Sequence, residues 1–304
     1  MSQPELATVQ SGFGGRGYKH PHTGQRVPSV TTVLRAAASP GITQWAVDQT
    51  AAYAVANVEG LLSRSETQGW NMLRWYHSRS PLPLDQGFDL RNYHLGVLND
   101  AAELGTAMHE WMEADLNPGT IYPDVSLQPA VFWDMVEVWN AFQAAHTMKT
   151  LYTEVTVWNE VEGYAGTFDW VGEIEGVMTL VDFKTSRSIW PDHKRQLAAL
   201  KNAPELLVKI DGEWVSRQWP DVEQFGLIHV RPDDIANNGT PVPAFCEYHE
   251  IEDLDLHYQA FLGCLNMKKA ELAVAAREKE RTKSAKLIEK DLEASSSSSA
   301  MGFA

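Results

Sequence analysis

The sequence predicts an α/β protein with a helical N-terminal part, and three observations carry that prediction. Apolar residues recur at helical spacing through ITQWAVDQTAAYAVANVEGLL and YHLGVLNDAAELGTAMHEWMEADL. At Leu151 the texture changes, because LYTEVTVWN alternates and is rich in β-branched residues. From there short β-rich runs alternate with the helical stretch SIWPDHKRQLAALKNA and end in a long helical segment.

In chain order, residues 1–27 are Gly-, His- and Pro-rich and are expected to be irregular. Within them GFGGRG matches G-x-G-x-x-G, but no strand precedes it and no helix follows, so it reads as an entry loop rather than a dinucleotide site. Ser29 is placed to N-cap a helix opening at Val30, which Pro40-Gly41 is expected to end. One or two further helices are expected over 62–79, and SPLPLDQGFDL reads as a loop. A long helix closes at Asn117-Pro118-Gly119, and another spans about 129–146. After the strand at 151 and a hairpin, short strands are expected in LLVKI, EWVSRQW, QFGLIHV and PAFCEYHEI. The last helix covers roughly 253–292, its mixed charges forming a solvated face, and SSSSSAMGFA reads as a disordered tail. The expected organisation is a loop and helical region over 1–92, a core over 93–292 and the tail over 293–304.

Composition bounds the function classes. The 304 residues suffice for one large domain or two small ones. No run of about 18 apolar residues occurs, so no membrane span is expected. The start MSQPELATVQSGFGG lacks a charged segment followed by an apolar core, so no secretory signal is expected. Cys246 and Cys264 are too few for a disulfide scaffold or a Cys-ligated iron–sulfur cluster, and a reducing cytoplasm is the expected compartment. A net charge of −15 argues against broad nonspecific DNA binding, while leaving room for a local basic groove or a metal-bridged phosphate.

The stretch GTFDWVGEIEGVMTLVDFKTS, Gly166 to Ser186, places charge where strand cores exclude it. If Glu175-Gly176 forms a type I′ turn, Asp169 stands as far before the turn as Asp182 stands after it. The two aspartates are then opposed, with Cβ atoms about 4.5–5.5 Å apart, and Lys184 falls on the same face. Like charges at that separation repel by about 3 kcal/mol at an effective dielectric of ~20. Sharing a proton, an ionic network with Lys184, or a divalent cation each relieves that cost. Two hard carboxylates converging on one point suit Mg²⁺ or Mn²⁺, and the register-matched triple favours this reading.

This stretch resembles the core of the PD-(D/E)XK nuclease superfamily, and more narrowly its RecB-type branch, with G-T-x-D, a hairpin, then D-x-K-T. Upstream, Gly105-Thr106-Ala107-Met108-His109-Glu110 matches that branch's G-T-x-x-H-E. Downstream, Gln196 stands where the branch has glutamine, but Leu200 replaces the tyrosine that follows it. The matches span about 105–200, near a third of the chain.

The resemblance implies a mixed sheet flanked by helices and divalent-metal-dependent DNA hydrolysis, most often exonucleolytic. Asp169 and Asp182 would hold Mg²⁺ or Mn²⁺, joined by the Phe183 carbonyl and by His109. Lys184 would orient or activate water and offset phosphate charge, and Gln196 would hold the lysine or contact DNA. Glu154 and Glu110 are candidates for a surrounding role, with Glu113 one turn beyond His109. Arg187, Lys194 and Arg195 are candidate phosphate contacts, and Trp190 could stack on an unpaired base. A second basic set, Arg16, Lys19, His20, His22, Arg26 and Arg35, could guide a strand. DNA ends are the implied partner, with a recombination or helicase partner and an oligomer open. Alternatives are a structure-selective endonuclease, a silent DNA- or protein-binding module, and an acidic interaction protein. The last leaves the matched aspartates unexplained.

Overall fold

The fold is seen in a computed structural model, which describes residues 6–8, 12–37, 40–68, 90, 93–117, 119–235 and 240–300. The N-terminal stretch expected to be irregular is a small antiparallel sheet of β1 (Ala7–Thr8), β2 (Gly17–Lys19) and β3 (Arg26–Pro28). Strands of two and three residues are too short to show an alternating pattern, which is why the sequence concealed them. The helix α1 (Val30–Leu34) opens as predicted, with Ser29 Oγ accepting the Thr32 N–H at 3.1 Å. It ends before Pro40, and Pro40 opens α2 (Pro40–Ala56) instead of closing α1. Proline lacks the N–H that a first helical residue leaves unused, so it suits that position. Next come α3 (Val58–Gln68), α4 (Tyr93–Leu116) and α5 (Ala130–Ala145). The rest of the 62–79 helical expectation and all but Leu90 of the loop SPLPLDQGFDL lie outside the described residues.

The second half begins with β4 (Met148–Asn159), β5 (Tyr164–Ile174) and β6 (Val177–Lys184). It continues through α6 (Pro191–Lys201), β7 (Glu205–Ile210), β8 (Glu213–Arg217) and β9 (Gln224–Arg231). A two-stranded ribbon of β10 (Asp234–Ile235) and β11 (Pro241–Val242) precedes β12 (Phe245–Glu250) and α7 (Leu254–Ala300). The last helix runs past residue 292 into the serine run expected as a disordered tail. Serine costs a helix no more than about 0.7 kcal/mol per residue against alanine, so that run alone does not stop it. Residues 301–304 lie outside the described residues.

The strands form a seven-stranded sheet in the order β12-β9-β6-β5-β4-β7-β8. Only β6 and β9 pair in parallel, so the sheet is mixed. One face packs under α1, α6 and α7, where Val30, Val33, Leu197, Leu200 and Phe261 meet Phe168, Val171 and Leu180. The other packs under α4 and α5, where Met108, Met112, Phe132 and Trp139 meet Trp170, Val181 and Phe183. Fully burying one such side chain stabilises by about 1.5–3 kcal/mol, so burial of these side chains contributes to holding both helical layers. The small N-terminal sheet packs Tyr18 and Val27 against Trp158, Ala165 and Leu207. This brings residues 16–31 over the central strand β5. No helix among the described residues is long and apolar enough to cross a membrane.

Candidate active site

The turn geometry comes first, since it sets everything else. Glu175 and Gly176 both have positive φ, 50° and 82°, as a type I′ turn requires. The register follows, with β5–β6 pairs running from Ile174↔Val177 to Trp170↔Val181. The next step would pair Asp169 with Asp182, and there the ladder stops. Asp169 Oδ2 instead accepts the Phe183 N–H at 2.6 Å, and β6 turns to its parallel partner, pairing Asp182 with Leu227.

The strand also slips at this point. Phe168 and Val171 face one core and Trp170 the other, so the alternation is interrupted at Asp169. Across on β4 the matching place is Glu154, bracketed by Val155↔Phe168 and Thr153↔Trp170, with φ 50°. The aspartates therefore meet where the hairpin splays, not across a continuous ladder on one face as simple parity predicted. Asp182 is fully buried, and Asp169 is 8% exposed.

Two helices complete the cluster. From α6, Gln196 Nε2 donates to Asp182 Oδ1 at 3.0 Å, and Lys184 Nζ donates to Gln196 Oε1 at 3.3 Å. The Lys184 ammonium also forms an ion pair with Asp182 Oδ2. From α4, His109 Nδ1 lies 3.8 Å from Asp169 Oδ2 and is buried with no hydrogen-bond partner among the described residues. Gly105 permits this approach, because a Cβ there would lie 2.7 Å from Thr185 Oγ1 at the end of β6. Gly166 does the same on the other face, where a Cβ would lie 2.5 Å from Leu200 Cδ2.

The electrostatics follow from crowding acids in a dry place. Burial, and then the neighbouring Asp169 charge, push the Asp182 carboxyl up to about 6, against the pull of Lys184. Asp169 is raised by the same burial, with Lys184 and the Phe183 N–H opposing. Glu154 is pushed to about 9 by burial, by Asp169 and by Glu113. Lys184 is desolvated too, yet Asp182 and Asp169 outweigh that and raise it, so it stays an ammonium. His109 falls to about 4, from burial first and Lys184 second, and is a neutral ring. The Phe183 main chain pulls its pKa slightly back up, which places that residue's backbone beside the ring.

A cavity of about 340 Å³ opens on this cluster, lined by His109, Asp169, Lys184, Gln196, Glu154 and Arg16 among others. A larger one, about 460 Å³, lies between Lys201, Phe225 and the start of α7, away from all these groups. Among the described residues no three His, Cys, Asp or Glu side chains stand closed around a point as a ready coordination shell, and the Lys184 ammonium sits on Asp182. The donor chemistry nevertheless suits a divalent cation: two carboxylates raised above all by burial, and a neutral imidazole whose Nδ1 finds no hydrogen-bond partner among the described residues.

The expected phosphate contacts are not at the cavity. Arg187 pairs with Asp234 at 2.7 Å, and Arg195 with Asp192 at 2.7 Å. Lys194 and Arg195 lie close enough to His257 on α7 to depress its pKa. Trp190 is 53% exposed at the start of α6 and does not line the cavity either. Arg16, from the N-terminal basic set, is the arginine that does. Glu110 does not line it, while Glu113 reaches it electrostatically by raising Glu154 and Asp169. Sequence reasoning also left His193 without a role, although it lines the cavity three residues before Gln196.

No protein-family model matches the sequence, and no curated protein does. Among solved structures the chain is similar to LHK-Exo in complex with dAMP, at 16% identity over 62% of this chain and 97% of that one, with a TM-score of 0.30. It is also similar to the alkaline exonuclease LHK-Exo from Laribacter hongkongensis, at 10% identity over 60% of this chain and 99% of that one, with a TM-score of 0.26. Scores this low leave the functional reading to the residues themselves.

Proposed function

We propose that the protein is a divalent-metal-dependent DNA nuclease built on a PD-(D/E)XK-type core over residues 93–292, and that it acts as an exonuclease. One observation carries this: Asp182, Lys184 and Gln196 form a closed network beside Asp169 and His109, at the wall of one cavity. Structural ion pairs do not need a cavity, an orphaned imidazole nitrogen and a third and fourth acid. The resemblance of GTFDWVGEIEGVMTLVDFKTS to the RecB-type branch supports the same reading, and exonuclease action follows from that branch alone.

Asp169, Asp182, His109 and the Phe183 carbonyl would hold Mg²⁺ or Mn²⁺. Such an ion lowers the pKa of water and screens phosphate charge. Lys184, kept cationic by its acidic neighbours, stabilises charge growing on the phosphate and orients water; an ammonium is no base. Gln196 ties the lysine to Asp182, so one helix positions both. Neutral His109 adds a nitrogen donor without further positive charge. Arg16, Tyr18 and Ser29 to Thr31 line the same cavity, where a DNA strand would enter. A role in recombination, repair or phage DNA metabolism, beside a helicase or as an oligomer, belongs to the same proposal.

The test uses end-labelled linear DNA and covalently closed circles, each with Mg²⁺, Mn²⁺ or EDTA. Loss of linear DNA alone, abolished by EDTA and by Lys184→Ala, is expected. Nicked circles would convert the reading to an endonuclease. Inactivity on every form with either metal, matched by the variant, would sink the enzyme reading.

A further inference from the structure

One polar side chain in the cavity has no task in the scheme above. His193 precedes Gln196 on α6 by nearly one turn, so the two side chains share a helix face, and both line the cavity with Lys184. Its Nδ1 is already committed, accepting the Trp190 N–H at 3.2 Å at the start of the helix. An imidazole whose Nδ1 accepts carries its proton on Nε2 when neutral. No other hydrogen bond to the ring forms among the described residues. Nε2–H is thus a donor held in place at one end and unspent at the other.

The ring is also uncharged. Burial first, then Lys184 and His229, lower its pKa to about 3. This suits its place. A second cation here would compete with a divalent ion for the buried carboxylates, whereas a neutral donor grips an anion without doing so. His193 and Lys184 line the same cavity, so an anion drawn to the ammonium enters the space beside the imidazole. For an enzyme acting on DNA, that anion is a phosphate.

We propose that His193 is a substrate-binding residue whose Nε2–H donates to a non-bridging oxygen of the DNA phosphate held against Lys184. The proposal rests on the nuclease reading. The competing role is purely local, with the ring doing no more than capping α6 through Nδ1.

Two substitutions separate these roles. His193→Asn puts an amide oxygen near the Nδ1 position, keeping the cap, and removes the Nε2 donor. His193→Gln extends an amide nitrogen toward the Nε2 position and gives up the cap. Steady-state cleavage of end-labelled linear DNA and Tm are measured for both, beside wild type and Lys184→Ala. Losing a hydrogen bond to a charged group lowers kcat/KM roughly ten- to a hundredfold, so that loss is expected for Asn at unchanged Tm, carried mainly by KM. Gln should recover most of the activity even if its Tm falls. Wild-type kinetics in the Asn variant would overturn the proposal. So would loss in both variants in step with lowered Tm, the signature of a cap. If wild type cuts DNA and Asn cuts it with the same kinetics, this inference fails alone; if wild type cuts nothing, the nuclease reading fails with it.

Discussion

Burial works against the Lys184 charge, and the two aspartates outweigh it and hold the lysine as an ammonium. Replacing it with alanine should therefore do two things. Cleavage should fall by roughly a hundred- to a thousandfold, the usual effect of removing one preorganised charge-stabilising donor. Metal-free stability should also fall, because Asp182 is left buried without its counter-ion. Arginine should not restore activity, since its planar fork does not fit a site built for a compact ammonium and one glutamine oxygen. Glu154 makes a separate prediction with a definite sign. Its carboxyl rises from 4.5 to about 9 on folding, so the stability linked to its proton is complete below pH 4.5 and is lost as pH climbs through 9. Glu154→Gln should flatten the metal-free Tm profile between about pH 5 and 9 and raise Tm at the alkaline end. Parallel profiles for the two proteins would refute the burial-driven shift. At this scale the sequence was informative where residues act through short spacing: Asp169, Asp182, Lys184, His109 and Gln196 were all named from motif and register. For Arg187 and Arg195 the spacing did not show the acidic partners that the structure gives them, Asp234 and Asp192. Neither Asp234's nearness to Arg187 nor Arg16's nearness to the cavity is written in local spacing.

Among the elements, close approach is the recurrent device, and two motif glycines supply it. A side chain at Gly166 would strike Leu200 Cδ2 at 2.5 Å and Val30 Cγ2 at 3.1 Å, both in the core beneath α6 and α1. Gly166→Ala should destabilise by about 1–3 kcal/mol, read by urea unfolding. Combined with Leu200→Ala the two losses should sum to less than their separate costs, because one removes the atom the other strikes. Additive losses would show that the strand does not sit where Leu200 limits it. This also gives Leu200 a physical role: it stands where the RecB-type branch that this stretch resembles carries tyrosine, and it packs against Gly166 and lines the cavity with an apolar side chain in place of a hydroxyl. Gly105 acts on the opposite face, and there the obstacle is one hydroxyl, Thr185 Oγ1. Gly105→Ala should thus lower kcat/KM more than Tm, by shifting His109 relative to Asp169. Long helices and the β5–β6 hairpin were legible because their periods repeat several times. The two- and three-residue strands β1 to β3 never complete a period, and Pro40 reads equally well as a stop or a start until the chain around it is seen.

For the whole molecule, the sheet joins two helical layers that each deliver one part of the site: α4 brings His109, and α6 brings Gln196. The acids lie on the sheet between them, at the point where its ladder opens. Burial raises both carboxylates there even with Lys184 beside them, and the divalent cation proposed above would relieve them further. An ion that binds only the folded state stabilises it by about 2.7 kcal/mol at a hundredfold excess over Kd. Mg²⁺ or Mn²⁺ should therefore raise Tm, without any DNA present. The shift should grow with pH, since Asp182 titrates at about 6 and the ion must compete with its proton below that and with the Lys184 ammonium throughout. Asp182→Asn should abolish most of the shift, because it removes a carboxylate that the ion would bind. His109→Ala should weaken the Mn²⁺ shift more than the Mg²⁺ shift, imidazole being the better match for manganese. Thermal melts at pH 5.5, 7 and 8.5 with each metal decide the matter. A shift that is independent of pH, or that survives intact in Asp182→Asn, would mean the ions bind elsewhere on an acidic surface and that Asp169, Asp182 and Lys184 form an ionic network without a metal.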